Sequence, residues 1–243
     1  MITTFYTDSH KTFLDDWFMK TIVEKDKVQV EKFDQECSTG EFMSSGWKNT
    51  MLKKVNYIRD CLRQDEPFFH LDCDIQFFNS FYDDYIKLLN DNNLDMLAQH
   101  DGNGTICCGF MLIRPNETTR KFFDDVHEKT KNDVYGNDQL ACNALLPQSG
   151  VRAKLLGADA FSIWMSNGIR VWQPSHGLPA IPEYMTAHHA NYTSGVEHKL
   201  QLMKLVREKY DASYHRKTVM DIYLILHHSL LNGSKRIMQT KLT

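Results

Sequence analysis

Asp72 and Asp74 stand one residue apart at the end of a largely apolar run, in the stretch FFHLDCDIQFF. A carboxylate at the mouth of a hydrophobic core is costly unless it is paired or bound to a metal. Just past a strand end, where the chain bends, two such groups can reach one ion, directly or through water. Mg²⁺ and Mn²⁺ favour oxygen ligands of this kind and complete their shells with water and phosphate oxygens. The pair alone is weak evidence, because a surface turn such as Asp83-Asp84 clusters carboxylates freely. Its position says more. Ligands of open α/β sheets bind outside the carboxyl ends of the strands, and FFHL delivers Asp72 to such an end.

The elements that must hold the pair alternate between strand and helix. MITTFY is a β-rich opening, followed by a helical pattern through Leu14, Trp17, Phe18 and Ile22. KVQVEKF alternates as a half-buried strand should. Trp47, Met51, Val55, Ile58 and Leu62 recur at a helical period before the strand EPFFHL. LDMLAQ and TICCGFMLIR are further strands, the second nearly continuous in apolar content, as a central parallel strand would be. Helices follow in NETTRKFFDDVHEKT, after Pro115, and in NDQLACNALL, which stops at Pro147. This alternation predicts an α/β fold with a mostly parallel sheet flanked by helices. Strand-like pieces FSIWM and IRVW and a Pro/Gly-rich loop come next, and from Val196 the composition turns helical. With no internal repeat or clear linker, one domain over residues 1–200 is expected, with residues 201–243 as a helical C-terminal tail packed on it.

The 243 residues are 42% hydrophobic and 24% charged with a net charge of −3, a globular composition without a basic field to hold nucleic acid. An anionic ligand therefore needs a local device, a metal ion or a few placed cations. Six cysteines (37, 61, 73, 107, 108, 142) form no CxxC pair, which suits reduced thiols in a cytosolic compartment. The longest apolar stretch, 219–231, contains Asp221, His227 and His228 and falls short of the roughly 20 residues of a membrane span. It reads as a helix on the core or on a partner, and the two histidines as structural. Sequons at Asn103, Asn116, Asn191 and Asn232 are coincidental without a secretory route.

Later segments add to the aspartate pair. CCGFMLIRPNETTRKFFDDV followed by NDQLACNALL, and then HHANYTSGVEHK, stand downstream of it, and Lys54 lies on the preceding helix. In this order they resemble the DxD-containing glycosyltransferases of GT-A (Rossmann-like) fold, and within them the plant-type nucleotide-diphospho-sugar transferases, over roughly residues 1 to 200. The resemblance implies a metal held by Asp72, Asp74 and His189, with Mn²⁺ favoured and Mg²⁺ acceptable, and a UDP-sugar donor. His189 rather than its neighbour His188 matches the H-x-N-x-x-x-G-x-x-x-K element by its spacing to Asn191 and Gly195. Donor contacts are implied for Thr7, Asp8, Lys54, Asp72, Cys73, Gly109, Asn191, Gly195 and Lys199. Gly195 would let the backbone approach the phosphates, and Lys199 would pair with a diphosphate oxygen.

Asp138 and Gln139 are the implied catalytic residues, beside the donor sugar and its anomeric face. Read from the residues alone, Asn137 and Asp138 are a helix cap and its first-turn acid, and Lys54 is a solvated lysine. Both the structural and the functional readings stay open. Cys107 and Cys108 replace a polar residue that often touches the sugar in this family, which leaves the donor sugar open. Asp101 reads either as a turn residue or as facing the donor, and Trp164 and Trp172 either as core or as a platform for an acceptor sugar.

The expected function is a retaining, Mn²⁺-dependent transfer of a hexose or pentose, such as galactose, glucose or xylose, to a hydroxyl of a glycan acceptor. A sugar-nucleotide hydrolase or nucleotidyltransferase and a catalytically silent nucleotide-binding module are the rivals. A soluble cytoplasmic enzyme of bacterial or viral origin is expected, with no transmembrane segment and a homodimer as one use of the tail.

Overall fold

The computed structural model describes residues 1–36, 44–134, 136–165, 171–177 and 179–214. The apolar stretch 219–231, Cys37 and the Asn232 sequon lie outside the described residues. The strands are β1 (Ile2–Tyr6), β2 (Val28–Lys32), β3 (Phe68–Leu71), β4 (Ile75–Phe77), β5 (Met96–His100), β6 (Ile106–Ile113), β7 (Ala153–Leu155), β8 (Ala160–Ser162) and β9 (Ala187–His189). Six of them form one sheet in the order β2-β1-β3-β6-β5-β7. All run the same way except β6, which is antiparallel to both β3 and β5. The mostly parallel α/β sheet expected from the alternation is therefore present.

Two details differ from expectation. The apolar run of β6 suggested a parallel strand, and β6 is indeed central and wholly buried. Burial on both faces makes a strand apolar whatever its direction, so composition could not show that it runs antiparallel. The alternating β2 is not half-buried either. It is an edge strand of the sheet, on which Val28 packs partly against the core while Val30 is 40% exposed.

Helical residues 11–21 include a π-helical stretch, Phe13–Phe18, that continues into α1 (Met19–Thr21) and buries Phe13, Leu14 and Phe18. α2 (Trp47–Cys61) buries Val55 and Ile58 as its periodicity requires. α3 (Tyr82–Asp91) was missed in sequence: Asp83 and Asp84 belong to its first turn, where carboxylates suit the helix dipole, and not to a loose surface turn. α4 (Glu117–Asn132) starts on a capping box of Asn116 and Thr119, and α5 (Asp138–Leu145) on the Asn137 side chain, which accepts from Leu140 N. Val55, Ile58, Phe122, Phe123 and Val126 cover one face of the sheet. Phe13, Phe18, Phe81 and Leu89 cover the other.

Of a second sheet, β4-β9-β8, the sequence showed only the strand-like piece FSIWM, which overlaps β8; β4 and β9 escaped because three-residue strands show no period. Helix α6 (196–214) packs Leu202, Val206 and Tyr210 beside it, against Phe161 and Trp172, and turns Met203 into the main core. Trp172 is fully buried and its Nε1 donates to Gly177 O at 3.0 Å, so it is a packing residue with no face for an acceptor sugar.

Candidate active site

The two sheets meet at the aspartates. β3 ends at Leu71, and Asp72 N then donates to Gly109 O of β6 at 2.8 Å. The chain bends through Cys73 and enters β4, which pairs antiparallel with β9 so that Ile75 faces His189. Ala190 N donates to Asp74 O at 3.0 Å, locking that pairing. His189 Nε2 thus stands 3.2 Å from Asp74 Oδ1 and 4.0 Å from Asp72 Oδ2. One ligand atom from each of the three residues lies within 4.8 Å of the others. His188, next along the strand, points to the opposite side. There its Nδ1 accepts from Gln76 Nε2 at 3.0 Å, and burial drives its pKa down to about 3.

Two lysines brace the carboxylates. Lys54 of α2, 3% exposed, lies 2.9 Å from Asp72 Oδ1 and 3.3 Å from Asp138 Oδ2. Gly195, at φ +82°, turns the chain into α6, and Lys199 Nζ there donates to Asp74 Oδ2 at 2.5 Å. Burial opposes charge on every one of these groups, and the neighbours outweigh it. Lys199 and His189 hold the Asp74 carboxyl well below its ordinary range, and Lys54 and His189 lower that of Asp72. The carboxylates of Asp138 and Asp72 raise Lys54 well above an ordinary lysine. Asp74 raises His189 to about 10, so the imidazole brings a proton into the space between the carboxylates. A divalent cation would stand where that proton does. Two carboxylates and one imidazole are a donor set that Mn²⁺ accepts readily. The space itself is kept open by Gly109, where a Cβ would lie 2.4 Å from Asp72 Oδ2 and 2.4 Å from His189 Cε1. The residues therefore fit the ion.

The cluster opens into a cavity of about 470 Å³. Thr7, Lys54, Asp72, Cys73, Gly109, Asp138, Gln139, Asn191, Gly195 and Lys199 all line it. Asp8 does not: it is exposed and ion-paired with Lys32 at 2.7 Å, on the far side of the Thr7–Ser9 turn. Phe5, Tyr6, Trp47 and Met51 form an apolar part of the wall, and His10 joins them near Lys199; none of these was read as a site residue in sequence.

Elsewhere the wall is polar and centres on Asp101. Its Oδ2 accepts from Gln139 Nε2 at 2.5 Å and from Tyr192 Oη at 2.7 Å, and Asn191 Nδ2 approaches Oδ1 at 3.5 Å. Burial nevertheless pushes the Asp101 pKa up. Gln139 Oε1 also accepts from Cys108 N at 3.3 Å, so both ends of its amide are engaged by the wall. Cys107 Sγ contacts His189 Nδ1 and Asn191 Nδ2 at 3.6 and 3.7 Å. Trp164 lies on Gly102, where a Cβ would meet the indole at 2.1 Å, and its ring is 5.9 Å from that of Tyr192.

Comparison with known proteins decides the family. The model of the nucleotide-diphospho-sugar transferases matches residues 14–203, which span both aspartates, Asp138, His189 and Lys199. The chain belongs to this family. A UDP-galactose:fucoside alpha-3-galactosyltransferase of Dictyostelium discoideum is 32% identical over 95 residues, which are 39% of this nucleotide-diphospho-sugar transferase and 13% of that relative. The chain thus spans a small part of the curated relative it matches. A crystal structure of a glycosyltransferase involved in the glycosylation of the major capsid of PBCV-1 superposes with a TM-score of 0.51 at 13% identity, covering 83% of this chain and 98% of that one. That likeness shows the fold, which is of GT-A type. Among the described residues of this transferase, no helix is long and apolar enough to cross a membrane.

Tyr192, overlooked in sequence although it sits inside the HHANYTSG element, has an unusual backbone. Its φ is +54°, a left-handed conformation that bulky residues adopt only when their surroundings impose it. The hydroxyl, on Asp101 Oδ2 and on Asp101 O at 2.9 Å, and Tyr192 O, accepting from Trp172 N at 2.6 Å, are those surroundings. Tyr192→Phe is expected to weaken donor binding about 10-fold, the low end of a hydrogen bond to a charged group, with little change in fold. Calorimetric titration with the donor checks this, and unchanged affinity would reduce Tyr192 to packing.

Proposed function

We propose that this transferase moves a hexose or pentose from a UDP-sugar to a hydroxyl of a glycan, with Mn²⁺ and with retention of anomeric configuration. The observation that carries the reading is the Asp72–Asp74–His189 cluster, braced by Lys54 and Lys199 and opening into one cavity with Asp101, Asp138 and Gln139. A nucleoside diphosphate-sugar leaves as a diphosphate, so charge develops on its oxygens as the glycosidic bond breaks. A divalent ion held by the cluster would neutralise that charge as a Lewis acid.

The chain's own residues do the rest. Lys199 supplies a mobile point charge to a diphosphate oxygen once the donor competes with Asp74 for it. Gly195, without a side chain, lets the phosphates approach the start of α6. Asp138, fixed at a capped helix start, accepts hydrogen bonds from donor-sugar hydroxyls with its position set by Lys54. Asp101 is steadied by Tyr192 and Gln139 beside it. Both carboxylates of the sugar end are thus held by donors in the wall. The free thiols of Cys61, Cys73, Cys107, Cys108 and Cys142 support a cytoplasmic location.

The similarity to a relative named for UDP-galactose makes that sugar the first donor to test. A panel of UDP-sugars, with and without glycan acceptors, in Mn²⁺ or in EDTA, should show UDP release that needs both Mn²⁺ and an acceptor. Asp74→Ala should abolish Mn²⁺-dependent UDP binding with the far-UV spectrum unchanged. UDP release that ignores every acceptor would indicate a hydrolase. Absence of Mn²⁺-dependent UDP binding in the wild type would remove the reading altogether.

A further inference from the structure

Gln99 is a fully buried amide in a strand whose other core positions are apolar. It stands where the main sheet is broken. β5 and β6 pair in step from Met96 with Ile113 to Ala98 with Met111, and the next pair is Gln99 with Cys107. Cys108, Gly109 and Phe110 are passed over by that jump, and Gly109 O is given to Asp72 N instead. Bulges of this kind re-aim side chains and recur beside active sites.

Here the re-aimed side chain crosses the seam between the two sheets. Gln99 Nε2 donates to Ala160 O at 2.9 Å and to Phe161 O at 3.1 Å, both of β8. Two carbonyls can only accept, so the amide has one orientation and its NH₂ faces β8. Its Oε1 is then turned to His189 Nδ1, at 2.9 Å. An amide oxygen can only accept as well. Nδ1 therefore keeps its hydrogen, and the nitrogen left to offer a lone pair is Nε2, the one that faces Asp74 and Asp72.

We infer that Gln99 is a positioning residue for metal binding: it fixes the tautomer and ring plane of His189, so that Nε2 is presented to the ion. The inference rests on the metal-site reading above. A residue that served only to fasten the seam would need its NH₂ alone. The chain of fixed directions, from the β8 carbonyls through the amide to the imidazole, is the kind of outer support that ligating histidines require. It also explains why an apolar strand carries one buried glutamine, next to a bulge and opposite the cysteine that lines the cavity.

Two variants separate the positioning role from the fastening role. Gln99→Met, of similar size, removes both the acceptor and the donors. Gln99→Glu removes the donors to β8 but keeps an acceptor for Nδ1–H. Binding of Mn²⁺ is read from the electron paramagnetic resonance signal of the free ion, and folding from thermal melting. Both variants are expected to melt below the wild type. Only Gln99→Met should lose Mn²⁺ affinity, by about 10- to 100-fold, while Gln99→Glu stays within a few-fold of the wild type. Equal losses in both variants, or none in Gln99→Met, would overturn the inference.

A measurement on the wild type needs no variant to fold. Long-range ¹⁵N–¹H correlation of the protein loaded with diamagnetic Mg²⁺ should show a hydrogen on His189 Nδ1 and none on Nε2, and a bare Nδ1 would overturn the inference. Failure of the metal-site reading looks different: the wild type and Asp74→Ala would then bind Mn²⁺ equally, whatever His189 shows.

Discussion

Gly109→Ala is expected to reduce Mn²⁺ affinity by about 100-fold, the upper end of what disturbing the groups around a metal site costs, in a protein that still folds. Gly109 is not needed for a left-handed turn, because its φ is not positive; it is needed for room. The added methyl carbon would lie 2.4 Å from both Asp72 Oδ2 and His189 Cε1 and 3.0 Å from Asp72 Cγ. Either side chain could relieve this by moving, but neither is free to do so. Asp72 is held through its other oxygen by Lys54 at 2.9 Å, and the His189 ring is held by Gln99 at 2.9 Å. Whichever gives way, the two ligands end up further apart.

The cost to the fold is smaller, about 1–3 kcal/mol for one extra methyl in a packed region. That corresponds to about 2–4 °C of melting temperature per kcal/mol in a chain of this size. Mn²⁺ titration beside a melting curve tests both statements. Wild-type Mn²⁺ affinity in Gly109→Ala would show that the gap between Asp72 and His189 is not where the ion sits.

Much of this site can be read in the sequence because its parts are local. The strand FFHL ending in two aspartates, the spacing from His189 through Gly195 to Lys199, and Asn137 capping α5 each follow from a few adjacent residues. The parts that escaped depend on long-range pairing. The meeting of His189 with Asp74, expected only from the resemblance, depends on the pairing of β4 with β9, which at three residues each carry no periodic signal. The choice between His188 and His189 is settled by which face of β9 meets the aspartates. Nothing adjacent to it marks Gln99, the last residue of LDMLAQ, because its role depends on a bulge and on β8, more than sixty residues away. Asp8 was placed at the donor by resemblance, but the turn after β1 sends it to the edge strand and Lys32. Tyr192 owes its conformation to Asp101, which lies on a different loop.

Lys54→Met should produce the largest change in stability, a loss of about 3–5 kcal/mol near neutral pH when metal is absent. The lysine is 3% exposed and is the cation shared by Asp72 and Asp138. Methionine fits the same stem but leaves those carboxylates in a low-dielectric wall without it. The pH dependence follows from the directions of the shifts. Asp72 has a lowered pKa in the fold, so its pairing stabilises the wild type above about pH 3.8 and is lost as pH falls below that. Lys54 is raised well above 10.5, so its contribution is complete below that pH and is lost only as pH rises further.

In the variant, burial acts on Asp72 with less to oppose it and drives its pKa up. The variant can then take up a proton at mildly acid pH and recover part of the loss. The gap between wild type and Lys54→Met should therefore be widest from about pH 7 to 9 and narrow toward pH 4. Denaturant titrations in EDTA at pH 8 and pH 5 measure it directly. A gap of equal size at both would mean that Lys54 contributes by packing its stem and not by its charge. In that case the electrostatic link from Asp72 to Asp138 through Lys54 would have to be abandoned.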